Sequence, residues 1–168
     1  RPSSFLVTME KSGESIVGFA WGEKIHTADL PNRIGQALGK SIDELRDLTA
    51  ALAQKRITRV LYADEFGILN EARSGIDSVR GLLQPWLEWG WFDLGVTACL
   101  FWTTPDSPIN RLALYMGFEP VFWTQIEGGK EIVFLLNRDF KPLLKICQNI
   151  SEQDMEDIAA FLSGQAVK

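Results

Sequence analysis

Asn70-Glu-Ala-Arg-Ser-Gly-Ile-Asp77 joins two runs of different periodicity, and the step between them decides the fold. Upstream, Ile57 to Leu69 is extended and mostly apolar, the pattern of a strand, interrupted by Asp64 and Glu65. Downstream, Ile76, Val79, Leu82, Leu83, Trp86 and Leu87 share one helical face that ends at Gly90, and Pro85 inside it predicts a kink. Val96 to Thr104 then returns to the pattern of a buried strand. Strand, loop, helix and strand make a βαβ crossover, in which the cleft lies beyond the carboxyl end of the first strand, at the helix N-terminus.

Towards the N-terminus, Phe5 to Glu10 and Ile16 to Trp21 are β-prone runs around Lys11-Ser-Gly-Glu-Ser15, which predicts a hairpin. A polar segment with Pro31, Gly35 and Gly39 follows, and then Ser41-Ile-Asp-Glu44, the pattern of a capping box. Leu45, Leu48 and Leu52 give the helix after it one apolar stripe to about Gln54. Towards the C-terminus, Asp106-Ser107-Pro108 starts a short helix that Gly117 stops. Val121 to Ile126 and Glu131 to Phe140 form a second hairpin around Glu127-Gly-Gly-Lys130, and two amphipathic helices close the chain at about 141–148 and 151–163. The reading is an α/β domain over residues 1–140, a mixed central sheet with a helical insertion at about 22–56, plus a C-terminal helical extension over 141–168.

Composition narrows the function classes. With 17 Lys and Arg against 22 Asp and Glu, the net charge of −5 supplies no global basic field for a nucleic-acid backbone or an anionic membrane surface. The uncharged run from Leu94 to Pro105 carries Thr97, Thr103 and Thr104 and falls well short of the ~20 apolar residues of a membrane span. Cys99 and Cys147 lack the paired spacing of a thiolate metal site, and the single histidine, His26, stands near no recognisable nucleophile motif. No metal is expected, and the setting expected is the cytoplasm. The start at Arg1, without a signal-peptide pattern, reads as a piece of a longer product, leaving room for an N-terminal domain or a dimer partner.

The 70–77 loop presents consecutive backbone N–H groups at a helix start, where the dipole and the free donors favour an anion, and Gly75 permits close approach. With Arg73-Ser-Gly75 opening one helix and Met116-Gly-Phe-Glu-Pro120 closing another, the region from Ile57 to Val121 resembles the GCN5-related N-acetyltransferase (GNAT) superfamily. The element order over about residues 5–140 is similar to that fold as well. The resemblance implies an acyl-CoA-dependent N-acyltransferase that moves an acetyl or other short acyl group directly from CoA to an amine, the acceptor being a small molecule or a protein. It also implies that Ile68, Leu69, Glu71, Arg73, Ser74, Gly75, Ile76 and Asn110 hold the acyl-CoA. In the family's Q/R-x-x-G-x-G/A loop, however, the first position falls here on Ala72, with Arg73 one residue on, and the last falls on Asp77. The family's first strand and first two helices, which shape the acceptor groove, would precede Arg1.

Acyl transfer to an amine needs a base for the ammonium proton and a donor for the leaving thiolate. Asp64 and Glu65 are the carboxylates of the central strand; strict alternation sends one to the cleft and the other away, and Glu65 is favoured. Placement of both at an edge or a bulge, merely solvated, is the alternative. The family's donor tyrosine stands four residues before the glycine of the Gly-Phe pair, where this chain has Ala113; Tyr115, about 200° round the helix, is the candidate acid or a packing residue. Cys99, between apolar neighbours, reads as an inert buried thiol. Trp86, Trp89, Trp91 and Trp102 wall an apolar pocket or pack the core. A non-catalytic GNAT-like binding domain and an acyl-loading domain of a larger synthase stand beside the enzyme reading.

Overall fold

The computed structural model describes residues 4–11, 15–68, 76–93, 95–149 and 153. Strands β1 (Ser4–Lys11) and β2 (Ser15–His26) form the N-terminal hairpin, and β3 (Arg59–Ile68) pairs antiparallel with β2. The chain crosses over through α3 (Ile76–Glu88) to β4 (Cys99–Thr103), which lies parallel to β3. Strands β5 (Glu119–Gln125) and β6 (Glu131–Asn137) are the second hairpin, with β6 seated against β4, so the six-stranded mixed sheet runs β1-β2-β3-β4-β6-β5. Helices α1 (Leu30–Leu38) and α2 (Arg46–Gln54) lie between β2 and β3, α4 (Pro108–Tyr115) precedes β5, and α5 (Lys141–Asn149) follows β6.

Alternation along the strands sorts the core into two layers. Leu61, Cys99, Val133 and Leu135 face one way and pack with Leu82, Trp86 and Leu87 of α3, Ala113 of α4, and Leu143 and Leu144 of α5. Val60, Tyr62, Leu100, Ile132, Phe134 and Leu136 face the other way, under Leu30, Ile34 and Leu38 of α1 and Leu48 and Leu52 of α2. Residues 141–149 thus complete the core through α5. Except for Gln153, the second terminal helix expected at 151–163 lies outside the described residues.

Three local expectations change. The segment from 22 is not helical at its start, because β2 continues to His26; helix begins only at Leu30, with Pro31 in its first turn, where a missing N–H costs nothing. The capping box forms as read, Ser41 N donating to Glu44 Oε2 at 2.9 Å and Glu44 N to Ser41 Oγ at 3.3 Å, but it closes a turn ahead of α2 at Arg46. Helix α3 runs through Pro85 and then widens into one π-helical turn, Trp89–Asp93. A proline removes one i→i−4 bond and crowds the preceding turn, and a wider turn relieves such a mismatch.

Candidate active site at the cleft between β3 and β4

Strands β3 and β4 pair at only two positions, Leu61 with Cys99 and Tyr62 with Leu100. Beyond them β3 follows β2 to Ile68 and β4 follows β6 to Thr103, so the facing edges of the parallel pair separate without ladder partners. A cavity of about 750 Å³ occupies the gap. Its lining comes from both layers: Ala63, Trp86, Leu87, Cys99, Phe101, Phe118 and Leu143 on the α3 side, and Ala37, Asp64 and Trp102 on the α1 side. The sheet is open through its thickness here, with an apolar floor and a carboxylate-bearing mouth.

A β-bulge makes that mouth. Gly22 stands opposite Ala63 and Trp21 opposite Glu65, so Asp64 is the extra residue in β3. The expectation that alternation sends Asp64 and Glu65 to opposite faces is therefore corrected. Asp64 follows Tyr62 towards α1, and Glu65, opposite Trp21, points the same way; both line the cavity. Gly22 is required there, because a Cβ would lie 2.5 Å from both Trp86 Cζ2 and the Tyr62 carbonyl oxygen.

The two carboxylates differ in their partners. Asp64 Oδ2 accepts from Arg33 Nη2 of α1 at 2.8 Å, and the same guanidinium donates through Nε to Glu23 of β2. Burial works against the Arg33 charge, but Glu23 and Asp64 outweigh it and raise its pKa. Glu65 is exposed and has no side-chain hydrogen bond or ion pair among the described residues. Tyr62 is buried beneath Asp64; burial first, and then the charge of Asp64, push its hydroxyl pKa up. Burial likewise pushes the Cys99 thiol up, so this cavity-lining residue stays protonated and is a poor nucleophile.

Helix α4 starts where sequence placed it. Ser107 Oγ accepts from Asn110 N at 3.0 Å and shares a 2.8 Å hydrogen bond with Thr103 Oγ1, whose side chain lines the cavity. Asn110 does not line the cavity: its Nδ2 donates to the Pro105 carbonyl at 2.6 Å, which ties its side chain to the loop ahead of α4. Tyr115 is 50% exposed and stands off the cavity, which takes Ile109, Leu112, Ala113 and Met116 from this helix region instead. Ile68 ends β3 opposite Gly18, and Ile76 opens α3. Leu69, Glu71, Arg73, Ser74 and Gly75 lie outside the described residues. Of the grouped tryptophans, Trp86 and Trp102 reach the cavity, while Trp91 packs edge-on against Phe140 and under the Lys141 ammonium. Arg33 and Trp21 were not singled out in the sequence; neither carries a local signal, because cross-strand register alone brings Trp21 to Glu65 and helix docking brings Arg33 to Asp64.

Among the described residues no group of three or more His, Cys, Asp or Glu side chains is placed to hold a metal ion, and no helix is long and apolar enough to cross a membrane.

No protein-family model matches the chain, and no curated protein matches it in sequence. Solved structures do. The polyamine N-acetyltransferase of Drosophila melanogaster superposes with a TM-score of 0.58 at 12% identity, over 79% of this chain and 74% of that one. The chain has a divergent GNAT fold. FeeM, an N-acyl amino acid synthase from uncultured soil microbes, shares the GNAT fold of this chain with a TM-score of 0.57 at 12% identity, over 82% of this chain and 74% of that one. Mutant forms of the spermidine/spermine N-acetyltransferase SpeG from Vibrio cholerae give 0.51 at 12% identity, over 86% and 72%. At these identities the likeness is one of fold; what this GNAT-fold chain does rests on its own cleft.

Proposed function

We propose that the protein is an acyl-CoA-dependent N-acyltransferase that moves an acetyl or other short acyl group from CoA directly to an amine. The observation that carries this reading is the through-sheet cleft with Glu65, unpartnered among the described residues, at its mouth. A pantetheine arm is slender and amide-bearing, and it suits the cleft on two counts. The cavity is large and mostly apolar, and the separated edges of β3 and β4 offer backbone N–H and C=O groups for amides to pair with. The anionic end of CoA is assigned to residues 71–75 and the start of α3, on the chemistry of a helix N-terminus.

In the proposed reaction, the amine nitrogen attacks the thioester carbonyl carbon after its ammonium proton passes, through water, to Glu65. The adduct nitrogen gives up its second proton to solvent as the C–S bond of the tetrahedral adduct breaks, leaving the amide and a thiolate that takes a proton from solvent. Asp64, held by Arg33, positions the mouth rather than taking the proton. Tyr115 receives no role, because its ring does not line the cavity. The reaction is placed in the cytoplasm, in keeping with the free buried Cys99 thiol.

Two measurements on the full chain test this. Calorimetric titration with CoA and acetyl-CoA is expected to give micromolar binding, and a thiol-release assay over an amine panel is expected to show amine-dependent turnover. Binding without turnover would make the domain a non-catalytic CoA-binding module, and absence of both would overturn the assignment.

A further inference from the structure

The acceptor side of the cleft carries more information than an acidic mouth alone. Two tryptophans flank Glu65 on the α1 face. Trp21 stands opposite it on β2, about one strand spacing (~4.8 Å) away. Trp102 stands across the gap on β4, on the face that packs towards α1. The helix side is lined by Ala37, whose methyl leaves depth where a larger residue would fill it. Both indoles, Ala37 and Ile109 line the same cavity as Glu65.

Among the described residues, the charge at this mouth amounts to one available carboxylate. Among the described lining residues Asp64 and Glu65 are the only charged ones, and Asp64 is held by Arg33 together with Glu23. A second ammonium on the acceptor would have to displace the guanidinium to find an anion among the described lining residues. A flat apolar body, by contrast, gains contact with both indoles, and its ammonium gains the ring faces as well as Glu65.

We propose that the acceptor is a primary monoamine with an aromatic or similarly flat apolar body, seated between Trp21 and Trp102 with its ammonium at Glu65, and not a polyamine. This rests on the N-acyltransferase reading and names the substrate class of the same site.

The test uses the full chain with acetyl-CoA and hexanoyl-CoA, reading thiol release with 2-phenylethylamine, tryptamine, n-butylamine, putrescine and spermidine. The expected result is a kcat/KM for the two aryl amines at least about tenfold above that for spermidine and putrescine, since an aromatic contact of this kind is worth about that factor. Trp21→Ala and Trp102→Ala are each expected to raise the aryl-amine KM by about tenfold, more than they lower kcat. Trp21→Phe and Trp102→Phe, which keep a ring, restore most of the loss and cover the case in which an alanine variant fails to fold. A preference for spermidine, or alanine variants with unchanged aryl-amine KM, overturns the proposal and leaves the acyltransferase reading standing. No thiol release with any amine overturns that reading instead. The pocket is then judged by equilibrium binding of 2-phenylethylamine through tryptophan fluorescence, where binding lost in Trp21→Ala supports it and absence of binding in the parent overturns it.

Discussion

Arg33 and Asp64, 31 residues apart in the chain, meet at 2.8 Å and fasten α1 over the bulge at which β3 leaves β4. The pair is half-open to solvent, and Glu23 shares the guanidinium. Replacing Arg33 with Gln strands two carboxylates beside Glu65. A partly exposed pair of this kind is worth about 1 kcal/mol, so Arg33→Gln is expected to lower the unfolding free energy extrapolated from a urea titration by that amount at low salt. The loss shrinks as salt is added to the parent and variant together, because salt screens the attraction that the parent enjoys.

Gly22 and Gly95 separate two kinds of glycine requirement. A Cβ at Gly22 would sit 2.5 Å from the Tyr62 carbonyl oxygen, which belongs to the neighbouring strand and cannot swing aside, and 2.5 Å from the buried Trp86 ring. Overpacking of this sort costs about 1–3 kcal/mol. Gly95 has a φ of +63° and open space around its Cβ position, so alanine there meets only the left-handed penalty of about 1 kcal/mol. Thermal melts are expected to rank Gly22→Ala below Gly95→Ala, and only Gly22→Ala should also perturb the near-ultraviolet signal of Trp86.

The same glycines mark how far the sequence could be read. Both hairpins, the caps at Ser41 and Ser107, the stop at Gly117 and the crossover through α3 follow from local pattern, and the structure contains them. Helix α1 was obscured because Pro31 and Gly35 look like breakers. Pro31 is in fact first-turn chemistry, and Gly35 is set by the Lys40 carbonyl, 2.7 Å from its Cβ position, while Leu30, Ile34 and Leu38 carried the helical period all along. The bulge was one of the placements left open for Asp64 and Glu65, and β3 alone could not decide it, since it exists only in the register against β2. For the same reason Glu65 was nameable as a candidate and Trp102 as a pocket wall, whereas the Trp21 and Arg33 around them were not: they arrive from two other elements.

Ser41 and Glu44 give a pH signature far from the cleft. The Ser41 backbone N–H, with Lys40 and the Ser41 hydroxyl adding to it, lowers the Glu44 pKa from 4.5 to about 2. A carboxylate whose folded pKa is depressed stabilises the fold above its unfolded value and loses that contribution as pH falls from 4.5 towards about 2. Carboxyl chemical shifts followed on acidification should place the Glu44 midpoint near the low value. Ser41→Ala keeps the backbone donor and removes the hydroxyl, so the midpoint is expected to rise only part of the way back. A full return to 4.5 would mean that the hydroxyl, not the backbone N–H, dominates.

Glu65 and Asp64 are adjacent and chemically alike, so replacing each in turn distinguishes a base from a positioning group. Glu65→Gln keeps shape and removes the proton acceptor at a site with no other partner to disturb among the described residues. A general base contributes about 10²–10⁴ in rate, so kcat/KM for the amine is expected to fall by at least about 10², with the calorimetric affinity for CoA retained. Asp64→Asn breaks the charge pairing with Arg33, and its expected signature is the reverse. Stability falls by about 1 kcal/mol, the amine KM moves, and kcat falls less than in Glu65→Gln. The fall in kcat then tracks the carboxylate that takes the proton, and the fall in unfolding midpoint tracks the one that holds α1. Equal kinetic losses in the two variants would mean that the bulge presents the pair to the ammonium as a unit, and larger losses in Asp64→Asn would move the base to Asp64.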